Sequence, residues 1–536
     1  MTGSKDTAGP GMASQDSSKS ALTSSGFLAA LSRLQKTVRD RFLNNPKAKW
    51  FQRAIWIISL TWAAIVAIQS IPYYTYIGQG KQAYQKGHYQ EAEKLFKSAL
   101  VESRNFGPQD PRLANSLNNL AELYRTQARY QEAEPIYKQV VAIAEKLGPR
   151  HEGLPMSLNN LAALYRDQGR YQEAEPLYKR AIDIWEKQIK KPGDPNLAGI
   201  LNGLAKLYRD QGRYQDAEPL YLKALRIREK ALGPDHPDVA TVLDNLGGLY
   251  REQGRYSLSE AIYKRALAID SRALGLEHPD TATDLNNLAG LYREEGRYRE
   301  AEPLYKQALA IRERVLGPDH PYVAKSLNGL GELYRDQSRY KDAEEPLKKA
   351  LAIRQRSLGG EHPDLATSLD SLASLYLAEG RLREAEPLLK RALAIREKLL
   401  NPSHPDLATS LCNQADLYLK EGDVEAAAPL FQRSLSIFTA ALGPENVNVA
   451  KSLAFLAEAE SVRGRYEKAL ELFKQAIAVN KKKLGPHHPA TQTCINEYAK
   501  LLIKLGRKAE AADALAQLEA PSPVLLSRLR SMSGSR

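Results

Sequence analysis

Between residues 78 and 518 the chain alternates two kinds of apolar stripe. In one stretch Leu158, Leu161, Ala162 and Tyr165 recur at intervals of three and four. After Gly169 comes a second set: Ala174, Leu177, Tyr178, Ala181 and Ile182. Each set falls on one side of an α-helix. Gly169 suits the left-handed residue that ends a helix, because it has no Cβ. The connection it leaves is long enough only for an antiparallel hairpin. The second stripe closes in text such as LGPDHP, Leu232–Pro237, where glycine stops the helix and proline forbids its continuation. Pro237 suits the first turn of a new helix, with Asp238 at the positive end of its dipole. One set of residues resists this scheme. Pro135, Pro176, Pro219, Pro303, Pro346, Pro387 and Pro429 lie inside the second stripe, where each removes a backbone bond and crowds the preceding turn. The pattern predicts either a later start for that helix or a bend at its beginning.

The same hairpin recurs along the chain. Its Gly-Arg-Tyr phrase places a ring, or an apolar substitute, at Tyr89, Tyr130, Tyr171, Tyr214, Tyr256, Tyr298, Tyr340, Leu382, Val424 and Tyr466. The steps are 41, 41 and 43 residues and then 42 throughout. A degenerate last copy near Leu505–Leu515 makes eleven, the first and last atypical in the manner of end caps. Repeated hairpins stack in a line, each touching its neighbours, so a chain of this length needs no single large core. The expected class is all-α, an α-solenoid.

The spacing Leu158, Leu161, Ala162, Tyr165, Ala174, Tyr178, Ala181 resembles the tetratricopeptide repeat (TPR), with Leu in place of its Trp and the unit lengthened to 42 residues. The long form, with its LNNLA, LYR, QGRY, EAEPLYKRALAIRE and LGPDHP phrases, is similar to the TPR domain of kinesin light chains. The resemblance covers about residues 78–518. It implies a right-handed superhelix whose first helices line a concave, peptide-binding groove. No heptad segment for pairing with a motor chain is present, so the resemblance does not extend to kinesin assembly.

Candidate binding residues lie on the polar side of the first helix. Asn118 and Arg125 are seven residues apart and nearly eclipsed. The Asn position recurs as Asn159, Asn202, Asn286 and Asn328, with Asp244 and Asp370 as variants. The Arg position recurs as Arg166, Arg209, Arg251, Arg293 and Arg335, then becomes Leu377 and Leu419. An Asn amide both donates and accepts, which suits an extended peptide backbone. Arg suits carboxylates by paired donors. Matching Asn positions in kinesin light chains contact cargo peptides, which the resemblance carries to the five Asn named here. The expected ligand is an acidic or aromatic-plus-acidic peptide along residues 106–340. The alternative is that these groups satisfy one another between neighbouring copies.

The front of the chain is of another kind. Residues 1–26 lack apolar periodicity and read as disordered. Over residues 27–45, Phe27, Leu31, Leu34, Val38 and Phe42 alternate with Arg33, Lys36, Arg39 and Arg41, as in a basic amphipathic helix that lies on an anionic bilayer or is merely solvated. From Ala54 to Gly80 no Asp, Glu, Lys or Arg occurs, with Trp50, Phe51, Tyr73, Tyr74 and Tyr76 at the flanks and Pro72 at the exit. Residues 50–77 are therefore expected to form one transmembrane helix ahead of the solenoid. Seven Lys/Arg in residues 33–53 against two in residues 73–90 put the N-terminus in the cytoplasm and the repeats outside it.

Charge changes the picture only at the ends. Of the formal +13, residues 1–53 carry +6 and residues 521–536 carry +3. A nucleic-acid binder concentrates its charge on the folded body, so none is expected as a partner. Residues 519–536 read as a short basic tail. Cys412 and Cys494, nearly two copies apart, read as buried thiols. His236, His278, His320, His362 and His404 recur one per copy beside Pro and read as loop caps, since they cannot converge on one metal. No phosphate loop and no GxSxG, HExxH or CxxC phrase occurs. The expected protein has no enzymatic role, cofactor or small-molecule substrate. It is a membrane-anchored adaptor that binds partner peptides in its groove, or else a passive scaffold without one.

Overall fold

The computed structural model describes residues 46–148, 150–189, 193–518 and 523–531; among them every regular element is helical. The expected disordered segment 1–26 and amphipathic helix 27–45 lie outside the described residues. The chain forms two compact units, divided between Ser157 and Leu158.

The N-terminal unit holds two hairpins, Pro46–Gln85 with Tyr89–Arg104 and Pro111–Thr126 with Tyr130–Leu147. Pro46–Gln85 is one helix of 40 residues that runs through Pro72. The exit expected at Pro72 is thus corrected: the proline removes one backbone bond and the helix continues. Its last turns serve as the first helix of copy one, burying Tyr73, Ile77, Ala83 and Tyr84. Gly80 lets Phe96 come close, since a Cβ there would sit 2.6 Å from the ring. Among the described residues no helix is long and apolar enough to cross a membrane. Most side chains between residues 54 and 69 are outside them, while Trp56, Ile57 and Leu60 are more than three-fifths exposed.

The second unit continues the hairpins, for example Pro237–Glu252 with Tyr256–Ala273 and Pro321–Asp336 with Tyr340–Leu358. Among the described residues the helices pair as eleven successive hairpins. Each first helix from copy four to copy nine starts at Pro, and the residue before it is the N-cap. The repeated histidines are these caps. His236 Nδ1 accepts from the Asp238 N–H at 3.1 Å, and His278, His320, His362 and His404 do the same at 3.0–3.2 Å. That bond satisfies one orphan N–H of the helix start. Second helices begin at the Tyr of Gly-Arg-Tyr, so Pro135, Pro176 and their counterparts are inside helices. A later start is thereby excluded. The expected tail 519–536 is corrected too. Pro523–Ser531 is a helix, and its Leu525 is buried in the last core.

The Gly-Arg-Tyr phrase recurs because it clamps copies together. In copy six, Arg297 lies over the Tyr292 ring, 4.0 Å from its centroid. Its guanidinium also donates to Glu260 of the preceding copy and to Glu300, each at 2.7 Å. Tyr292 donates to the same Glu260 at 2.8 Å. Hydrogen bonds from Arg297 and Lys264 hold the Glu260 carboxyl at about 2. The set repeats at Arg129, Arg213, Arg339 and Arg381. Within the second unit the first helices of neighbouring copies approach one another more closely than the second helices do, so that part of the stack curves with first helices inside.

In the second unit the curve returns on itself. The Asn401 N–H donates to the Gln168 carbonyl at 2.8 Å. Asn446 Nδ2 donates to Tyr214 Oη at 3.1 Å across 232 residues. His488 stacks on Tyr256 at 6.0 Å, and its Nε2 lies 3.1 Å from the Glu294 carbonyl oxygen. The hairpin turns of copies three to six thus meet the loops that open copies nine to eleven. Glycine permits the approach: a Cβ on Gly212 would lie 2.5 Å from the Leu442 carbonyl oxygen, and one on Gly254 would overlap Lys483.

Candidate functional site

The inner wall is built from the polar stripe of the first helices. Asn118 and Asn202 are half-buried, while Asn159, Asn286 and Asn328 are buried. Several spend their hydrogen bonds inside the protein. Asn286 Oδ1 accepts from Ser326 Oγ at 3.2 Å. Asn328 accepts from Ser368 Oγ at 3.4 Å and donates to Glu332 at 2.7 Å and Ser371 at 3.0 Å. Asn202 accepts from Asn245 at 3.2 Å, and Asn159 donates to Asn160 at 3.1 Å. At the variant position Asp370 pairs with Arg396. Thus Asn202, Asn286 and Asn328 each bond a residue of the next copy.

Within the second unit the Arg positions from Arg166 to Arg293 form a rail. Arg166, Arg209, Arg251 and Arg293 each face the acid that follows the equivalent Arg in the next copy. The partners are Asp210 at 3.6 Å, Glu252 at 3.8 Å, Glu294 at 3.6 Å and Asp336 at 3.7 Å. Arg125 instead takes Glu122 by two bonds, at 2.6 and 3.0 Å, and Arg335 takes Asp336 at 2.7 Å. Arg293 also bonds Glu332. Burial pushes the Glu332 carboxyl up, but Arg293 and Arg335 outweigh it and hold it at about 2. Glycine makes room for the rail: a Cβ on Gly248 or Gly290 would lie 3.2 or 3.3 Å from Arg209 or Arg251.

Sequence reasoning found the Arg rail and missed the acid rail. Its signal was present, since Asp or Glu follows Arg in Arg166–Asp167, Arg209–Asp210, Arg251–Glu252, Arg293–Glu294 and Arg335–Asp336. Only the curvature shows that each Arg reaches the acid of the next copy. Lys325 was missed as well. Burial, then Arg312, pushes its amine down to about 7, against Asp244 and Asp364. Where the Arg rail stops, Asp416, Glu458 and Glu497 follow. Glu458 is pushed up to about 7 by burial and by Glu497 and Asp416 beside it. Among the described residues no group of three or more His, Cys, Asp or Glu is arranged to hold a metal ion.

A curved stack of clamped hairpins with a polar inner wall is the architecture of helical repeat proteins that bind other proteins. The tetratricopeptide repeat family matches residues 74–146, 131–187, 196–272, 249–314, 280–356, 347–398, 364–440, 406–482 and 448–520. The chain belongs to that family. It is similar to the crystal structure of a putative kinesin light chain with nearly identical TPR-like repeats from Podosopora anserina: 32% identity, 38% of this chain and 98% of that one, TM-score 0.32. It is also similar to BtubC (BKLC) from P. vanneervenii, at 27% identity over 47% of this chain and 94% of that one, TM-score 0.34. A Rap protein complexed with Competence and Sporulation Factor matches at 16% identity over 69% of this chain and 98% of that one, TM-score 0.49. No curated protein sequence matches the chain.

Proposed function

We propose that this protein is a membrane-tethered adaptor whose inner wall holds an extended acidic segment of a partner protein. The observation that carries the reading is the double rail from Arg166 to Arg293. There each guanidinium faces the acid of the next copy at 3.6–3.8 Å, outside direct hydrogen-bond distance, while Arg166 also bonds Asp167 at 2.7 Å and Arg293 also bonds Glu332. Such loose pairs exchange: a partner's carboxylates displace the internal acids and gain the closer, charge-assisted bonds. The half-buried Asn202 lies on the same wall and supplies an amide beside the partner's backbone. The tether is the uncharged stretch 54–80, with Trp56, Ile57 and Leu60 exposed on its helix. The repeats lie on the side of the membrane opposite the basic N-terminal segment.

The test is binding of the full chain to a peptide array in which acidic segments are paired with their charge-neutral analogues. Arg209→Glu with Arg251→Glu and Arg293→Glu abolishes the preference for acidic segments. An unchanged preference in that variant overturns the reading. Alkaline extraction of membranes and a reporter fused after Arg536 test tether and side. A second reading, a scaffold without peptide traffic, is favoured by the internal bonds of Asn286 and Asn328. It predicts no preference in either protein.

A further inference from the structure

We infer that the inner wall carries two carboxylate sockets, at Gly248 and Gly290, and that they grip two acidic side chains of the partner segment set three residues apart. This rests on the reading above and names the points where that segment is held. The pattern of a filled socket is present in the protein itself. Eight residues before the Tyr of Gly-Arg-Tyr, copy two has Glu122. Its carboxylate accepts from Tyr137 Oη at 2.7 Å and from Arg125 at 2.6 and 3.0 Å. Copy seven has Glu332 at the same position, and that acid takes Arg293 of the preceding copy.

Copies five and six have glycine at this position, yet the donors remain. A Cβ on Gly248 would lie 3.2 Å from Arg209 Nη1 and 3.5 Å from Tyr263 Oη. One on Gly290 would lie 3.3 Å from Arg251 Nη1 and 3.5 Å from Tyr305 Oη. Outside its own helix neither Cβ would meet anything else within 4 Å. Both glycines sit inside helices, where glycine is a poor choice, and no ring packs on them as Tyr263 packs on Gly247. Tyr263 and Tyr305 are buried, and among the described residues their hydroxyls make no hydrogen bond. Gly248 is buried and Gly290 half-buried, so a carboxylate enters as the guanidinium above it moves. Arg209 and Arg251 can move, because they face Glu252 and Glu294 at 3.8 and 3.6 Å. The entering acid then accepts from guanidinium and phenol together, as Glu122 does. The two sockets lie on first helices of adjoining copies, roughly 10 Å apart for packed helices. A polyproline-type segment turns every third side chain to one face, at about 9 Å intervals. Acids three residues apart therefore reach both sockets.

Fluorescence anisotropy of the purified full chain in detergent tests this with three labelled Gly-Ser peptides. One carries two glutamates three residues apart, one carries adjacent glutamates, and one carries glutamines in place of the spaced pair. The wild type binds the spaced pair most tightly. Tyr263→Phe with Tyr305→Phe weakens that binding about tenfold. It leaves the glutamine peptide and the melting temperature unchanged, since neither hydroxyl has a partner to lose. Gly248→Glu with Gly290→Glu fills the sockets from within and removes the preference for glutamate over glutamine. Should this variant melt early, the Tyr-to-Phe pair decides alone. A wild type that prefers glutamate, beside a Tyr-to-Phe variant that keeps the whole preference, overturns the sockets and leaves the acid-binding wall standing. A wild type with no preference overturns both.

Discussion

Copies five to eight and copies nine to eleven carry the same hairpin but are held together by different interactions. In the first group a buried polar column divides the core. Arg312 donates to Ser326 Oγ at 2.8 Å, to the Tyr322 carbonyl at 3.1 Å and to Thr283 Oγ1 at 3.0 Å. Arg354 donates to Ser368 at 2.7 Å and the Asp364 carbonyl at 2.9 Å, and Arg396 pairs with Asp370 and Ser410. Separate apolar clusters flank the column, one shared at the hairpin-turn level and one per hairpin below it. In the second group Phe438 and Asn480 replace the arginine, and the column shrinks to Cys412, Ser434 and Ser452. There the core runs unbroken from Leu407 to Leu525, with Phe431 and Phe473 at its centre. The Arg-over-Tyr clamp ends with Arg381, and Asp423 stands in the next copy. The difference teaches that the repeated text fixes the hairpin, whereas the interactions between hairpins are interchangeable.

The comparison can be broken most sharply at Asp370. Asp370→Ala leaves the buried Arg396 without its carboxylate and is expected to cost about 3–5 kcal/mol in urea unfolding. Phe438, which fills the Arg396 position two helices on, shows that the same site takes an apolar side chain. Gly254→Asn tests the seam that joins the two groups. Its Cβ would strike the Lys483 backbone, and a loss of about 1–3 kcal/mol is expected, read by the same unfolding curve. Gln414 sharpens the comparison from the other side. It occupies a position held by Leu in Leu372 and Leu456, and neither its amide nitrogen nor its oxygen finds a hydrogen bond although it is buried. Gln414→Leu is expected to stabilise by about 1–3 kcal/mol. Arg381→Ala removes one clamp at the surface, and the smallest loss of the series is expected on the same unfolding curve.

Acidity separates the groups by the least amount but with opposite sign. Glu260 and Glu344 are held at about 2 by hydrogen bonds from Arg297 with Lys264 and from Arg381 with Lys348. Their contribution is full above the unfolded value of 4.5 and is lost as pH falls from there towards 2. Glu458 is raised to about 7, so its contribution is full below 4.5 and is lost as pH rises through 7. Hydrogen exchange at pH 7.5, 5 and 3 reads this directly. Protection in copies ten and eleven rises from the first pH to the second, and protection in copies six to eight falls from the second to the third.

Much of the fold was legible in the text. The 42-residue period, the alternating stripes and the Gly and Pro stops fixed eleven hairpins and their order, because helix periodicity and chain reversal are local properties. Several readings depended on more than neighbouring residues. Pro72 and Pro135 looked like breaks, yet both lie inside helices, since packing against neighbours offsets one missing bond. The Arg ladder was visible, but its acid partners were not, because which Asp or Glu an Arg reaches depends on the rise and turn from one copy to the next.

The sequence by itself thus determined the class, the caps and the candidate wall residues, all set within one hairpin or between adjacent ones. Only the tertiary structure decided the buried column of Arg312, Arg354 and Arg396, the loose pairing along the rail, and the seam between Tyr214 and Asn446. Those contacts depend on small rotations that add up over 232 residues, and no local pattern records their sum.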